Sequence, residues 1–93
     1  MNLKEYVSKE ESYIWGKVFI LSNKQFGTHI FLCSKYPRKE FTEKTIFIGL
    51  NTQWADTYYY SSVENDEVLK VFNSLKEYIE FTFTKENNLK NGK

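Results

Sequence analysis

The chain has 93 residues, 13 Lys+Arg against 12 Asp+Glu, 17 aromatic residues, one Cys and one His. That length holds one hydrophobic core, and 41% hydrophobic with 27% charged residues lies far from the signature of disorder. One Cys and one His exclude an intramolecular disulfide and the usual zinc site of three or four ligands.

No stretch approaches the roughly 18 consecutive apolar residues of a membrane span. The start, MNLKEYVSKEES, has no apolar signal core, and an unpaired thiol suits a reducing compartment, so a cytoplasmic protein without a membrane role is expected. Lys outnumbers Arg 12 to 1 and Asn reaches 8, a usage of AT-rich codons that points to an AT-rich bacterial, phage or plasmid genome.

Asn2 and Glu5 have the spacing of a capping box, and Leu3, Tyr6 and Val7 share a helical face, which predicts a short opening helix ending near Glu11. Tyr13 to Leu21 and Thr28 to Ser34 are rich in β-branched and aromatic residues, and Asn23 and Gly27 between them supply turn chemistry, so a β-hairpin is expected. Residues 35–44 carry the one Pro and a charge cluster and read as a surface loop. Thr45 to Leu50 and Trp54 to Tyr60 complete a four-stranded antiparallel meander.

Ser61 and Glu64 repeat the capping-box spacing, followed by Asp66 and Glu67. Val68, Phe72, Leu75 and Ile79 then recur at spacings of four, three and four, which predicts a helix from about residue 62–65 to 78–84. The fold class is therefore α+β: a four-stranded antiparallel β-meander with a C-terminal helix on one face and a short N-terminal helix. One domain covers 1–84, and 85–93 read as a polar, frayed tail.

Alternation divides each strand between two faces. One is aliphatic (Ile14, Val18, Ile20, Ile30, Leu32, Ile46, Ile48, Leu50) and is expected to take the C-terminal helix. The other is aromatic and mixed: Tyr13, Trp15, Phe19, His29, Phe31, Cys33, Phe47, Trp54, Tyr58 and Tyr60. Either the opening helix, the 35–44 loop and the tail fold over this second face, or it meets a partner, since monomers seldom leave wide apolar patches bare.

Charge is uneven along the chain. Residues 17–44 hold six Lys/Arg against two Glu, a net +4, and residues 45–80 hold six Asp/Glu against two Lys, a net −4. His29 and Cys33 are four positions apart, about 13 Å on one strand, too far for a dyad. The isolated glycines form no phosphate-binding loop or dinucleotide fingerprint, so no catalytic, metal or cofactor residue is assigned.

These readings point to a small non-enzymatic binding protein working through protein contacts, of the kind a phage or plasmid encodes as an inhibitor or accessory factor. Its partner would be another protein or a second copy of itself, met by Trp15, Phe31, Tyr36, Arg38, Lys39, Tyr58 and Tyr60. The alternative is a single-stranded nucleic-acid module using Lys24, Lys35, Tyr36, Arg38 and Lys39 beside the sheet aromatics. One Arg and an acidic second half argue against it.

Overall fold

The structure is a computed structural model that describes residues 1–9, 13–35, 45–51 and 57–92, with side chains as far as Thr84. Along the chain come α1 (Leu3–Lys9), β1 (Val18–Asn23), β2 (Gly27–Lys35), β3 (Thr45–Gly49), β4 (Thr57–Tyr59), α2 (Tyr60–Val63), β5 (Glu67–Phe72) and α3 (Leu75–Gly92). The fold is α+β with an antiparallel sheet, of five strands rather than four, in the order β4-β3-β2-β1-β5.

The opening capping box forms in both directions. Glu5 N–H donates to Asn2 Oδ1 at 2.8 Å, and Asn2 N–H donates to Glu5 Oε1 at 3.1 Å. The hairpin turn is held by Asn23 Oδ1, which accepts from Gln25 N–H (3.0 Å) and Phe26 N–H (2.6 Å). Gly27 closes the turn at φ +76°, a left-handed conformation that glycine adopts without a Cβ penalty.

The expected first strand begins later than its composition suggests. Gly16 turns at φ +87°, Lys17 N–H bonds back to Ile14 O, and the extended ladder starts at Val18. Tyr13, Ile14 and Trp15 therefore leave the sheet. Ile14 is buried against the aromatic core rather than on the aliphatic face.

The expected helix at 62–65 is replaced by the short α2, a turn and β5. Segment 67–72 (EVLKVF) has the period of a helix stripe but also β-branched residues, and the free edge of β1 gives it a ladder of backbone hydrogen bonds. A bulge between Ile20 and Leu21 leaves Leu69 of β5 outside the register and 55% exposed. The working second capping box is Ser74 with Glu77: Glu77 N–H donates to Ser74 Oγ at 3.1 Å, and the Glu77 carboxylate accepts from Asn73 N–H. The helix it starts extends to Gly92, through the stretch that composition reads as a tail.

Register confirms the division into two faces for β1 to β3. Phe19 pairs with Phe31, Cys33 with Phe47 and Phe47 with Tyr58, while Val18 pairs with Leu32, Ile20 with Ile30 and Leu32 with Ile48. The aromatic face is the main core. Phe19, Leu21, Phe31, Cys33 and Phe47 are buried beneath Leu3 of α1, Ile14 and Val63 of α2, with Tyr6, Val7, Trp15, Tyr58 and Tyr60 around them. Phe47 is fully buried and touches Phe19 (6.1 Å between centroids), Phe31 (6.1 Å) and Tyr60 (6.5 Å). Truncating it leaves a cavity that no neighbour can fill. Phe47→Ala is expected to lower stability by about 3–5 kcal/mol, read as a fall in the urea midpoint at constant slope.

Candidate interaction surfaces

Of the residues singled out as partner contacts, the structure brings Trp15, Phe31, Tyr58 and Tyr60 into one aromatic layer but gives them unequal access. Phe31 is 3% exposed, wedged between Phe47 and Tyr58 with His29 stacked on it, so it presents no surface to a partner. Trp15, Tyr58 and Tyr60 are half-buried. Trp15 donates from Nε1 to Thr45 Oγ1 at 2.8 Å and carries the Lys35 ammonium over its ring at 5.3 Å. Burial, and next the Glu64 carboxylate, push the Tyr60 hydroxyl above its ordinary value. Tyr36, Arg38 and Lys39, like Trp54, lie outside the described residues.

The two described lysines of the nucleic-acid reading stand apart. Lys24 is in the hairpin turn and Lys35 at the far end of β2, a strand of nine residues that spans about 26 Å at 3.3 Å per step. They do not line one groove.

A cleft of about 210 Å³ opens where the hairpin turn meets α2, lined by Asn23, Phe26, His29, Phe31, Tyr58, Ser62, Val63 and Asp66. Ser62, His29 and Asp66 are the residue types of a nucleophilic triad, yet no hydrogen bond joins any two of them. Asp66 Oδ2 instead accepts from Asn23 Nδ2 at 3.3 Å. Burial raises the Asp66 carboxyl, opposed by the Asn23 hydrogen bond and by the charge of His29. His29 and Cys33 share the aromatic face of β2 with the Phe31 side chain between them. Among the described residues no three His, Cys, Asp or Glu side chains come together as metal ligands.

The opposite side of the molecule leaves apolar surface open, and this the sequence reading missed. α3 touches the sheet mainly at β5, where Tyr78 and Phe81 pack on Phe72 with ring centroids 5.4 and 5.2 Å apart. A second row at i, i+4 and i+8 faces another way: Leu75, Ile79 and Phe83 are 37, 54 and 64% exposed. Beside it, Ile20, Ile30, Leu32 and Ile48 are only half-buried and Leu50 is exposed, although Val18, Ile46 and Phe72 on the same face are buried. The expectation that the aliphatic face takes the C-terminal helix holds only at its β5 margin. The signal was present in the continuation of the helical stripe to Phe83. Among the described residues no helix is long and apolar enough to cross a membrane.

The chain matches no known protein family, no curated protein and no solved structure.

Two titrating groups give direct tests of this arrangement. Burial pushes the Cys33 thiol up to about 12, so at pH 8 a thiol reagent should modify it only at the rate of unfolding, and denaturant should release full reactivity. Because Asp66 binds its proton more tightly folded than unfolded, stability should fall as pH rises from about 3.9 through the higher folded value. Asp66→Asn should remove that slope, as thermal melts across the acid range would show.

Proposed function

We propose that this protein is a small non-enzymatic binding protein that acts through protein–protein contacts, and that the contact surface is the outer row of α3 with the adjoining aliphatic face of the sheet. The observation that carries this reading is the row Leu75, Ile79 and Phe83, regularly spaced, apolar and exposed on one helix. A polar-faced surface helix keeps such residues for the core, and contiguous apolar patches of this kind mark interaction sites. The burial of Phe31 in the aromatic layer argues against it as a contact and supports α3 instead.

The non-enzymatic part rests on the cleft beside α2, where the Asp66 carboxylate is engaged by Asn23 and not by the histidine it would have to orient. The nucleic-acid reading draws less support, since Lys24 in the hairpin turn and Lys35 at the far end of β2 stand apart and Phe31 is buried.

The test is retention of protein, a further copy or a different chain, by immobilised wild type and by an Ile79→Glu/Phe83→Glu variant with the same far-UV circular dichroism. Wild type should retain a protein that the variant loses. A wild type that neither self-associates nor retains any protein would overturn the reading. Retention of a short oligonucleotide at low salt, lost steeply as salt rises, would favour nucleic acid instead.

A further inference from the structure

We infer that the occupant of this surface is a second copy of the chain, whose α3 lies over β2 and β3 beside the first α3, so that each protomer gives a helix and receives one. This inference rests on the protein-binding reading above and names the partner.

The sheet is wider than one helix can cover. Five strands leave four gaps of about 4.8 Å, a face about 19 Å across, whereas one helix covers about 10 Å. α3 takes up the β5 margin by packing on Phe72. Among the described residues no helix covers Ile30, Leu32, Ile48 and Leu50, and α1 and α2 both pack on the other face. Ile46 on this face is already buried; the other β2 and β3 positions that share it, Thr28, Ile30, Leu32, Ser34 and Ile48, carry no charge, so a helix laid there buries no unpaired charge.

The two open surfaces are also reciprocal. Among the described residues, the chain carries a sheet face lacking a helix and a helix row lacking a sheet. A two-fold pair satisfies both needs at once, as an isologous interface requires. A different protein would cover the row only while bound and leave it bare in the free chain.

Area agrees with this. At about 200 Å² for a whole large apolar side chain, the exposed fractions of Leu50, Leu75, Ile79 and Phe83 amount to about 390 Å² per chain, to which the half-buried Ile30, Leu32 and Ile48 add. A standard interface buries about 800 Å² per partner, of which about 60% is apolar, or roughly 480 Å². The shape fits as well: the radius of gyration is 14.2 Å against about 12 Å for a compact chain of this length, and the long axis is 50 Å.

The experiment is molar mass in solution by light scattering and sedimentation at micromolar concentration, for wild type, Phe83→Glu on the helix and Leu50→Glu on the sheet. Both positions are exposed, so the variants should keep the wild-type circular dichroism, while their melting temperature should fall only by what association contributes. Wild type should show twice the 11.1 kDa chain mass, and each variant should weaken association by about 100-fold or more by burying a charge. A wild type of single-chain mass overturns the inference. If that monomer still retains a protein through Ile79 and Phe83, the binding reading stands with a different partner. A dimer broken by Phe83→Glu but not by Leu50→Glu overturns the seating on the sheet, and a dimer that survives both places the contact elsewhere.

Discussion

The structure depends on the close packing of aromatic rings on one face of the sheet. Phe47 and Phe19 are fully buried, and edge-on contacts run from Tyr6 through Phe19, Phe47 and Phe31 to Tyr58. Such pairs add about 0.5–1.5 kcal/mol each beyond the area they bury. Because these rings need a roof, α1 must cross the sheet with Leu3 and Tyr6 inward, and α2 must return with Val63. Both helices are too short to be stable alone, so packing sets their existence as well as their position. With the short helices spent on this face, the other is left to α3.

Much of this was legible in the residues. The Asn2 and Glu5 pair, the Asn23 and Gly27 turn, and alternation along β1 to β3 are local features, and local geometry decides them. The stretch 61–72 was not, because two solutions fit it. It has Ser61 and Glu64 at capping-box spacing and an apolar stripe, but Ser74 and Glu77 offer the same box thirteen residues later. The choice is made by β1, whose second edge would otherwise be unpaired, and one chain segment cannot report the open edge of another. Likewise, Gly16 reads as a strand residue until its left-handed turn is seen to bring Ile14 and Trp15 onto the core.

The candidate surface was less legible, for a physical reason. The aromatic face read as the one a partner could meet, whereas its rings pack edge-on against one another and the open apolar surface lies on the aliphatic side and on α3. The charge division also changes in space. The acidic second half contributes β5, which lies against β1 of the basic first half, and Glu67 is drawn to the N-terminal ammonium at 3.2 Å. The two blocks are thus neighbours in the sheet where β5 pairs with β1.

The position of β5 has a kinetic side. β1 meets β2 across a three-residue turn but meets β5 only after some fifty intervening residues have been gathered in. Closing so long a loop costs chain entropy before any ladder bond repays it. The first residues are tied to the same place, since Leu3 N–H bonds to Asp66 O, Lys4 N–H to Glu64 O and Val68 N–H to Met1 O. The chain's beginning and its fifth strand therefore consolidate together, as one late cooperative unit added to a hairpin that can form early by itself. The helix of the exposed row follows that unit directly, so the surface it offers is complete only once the slowest contact has formed.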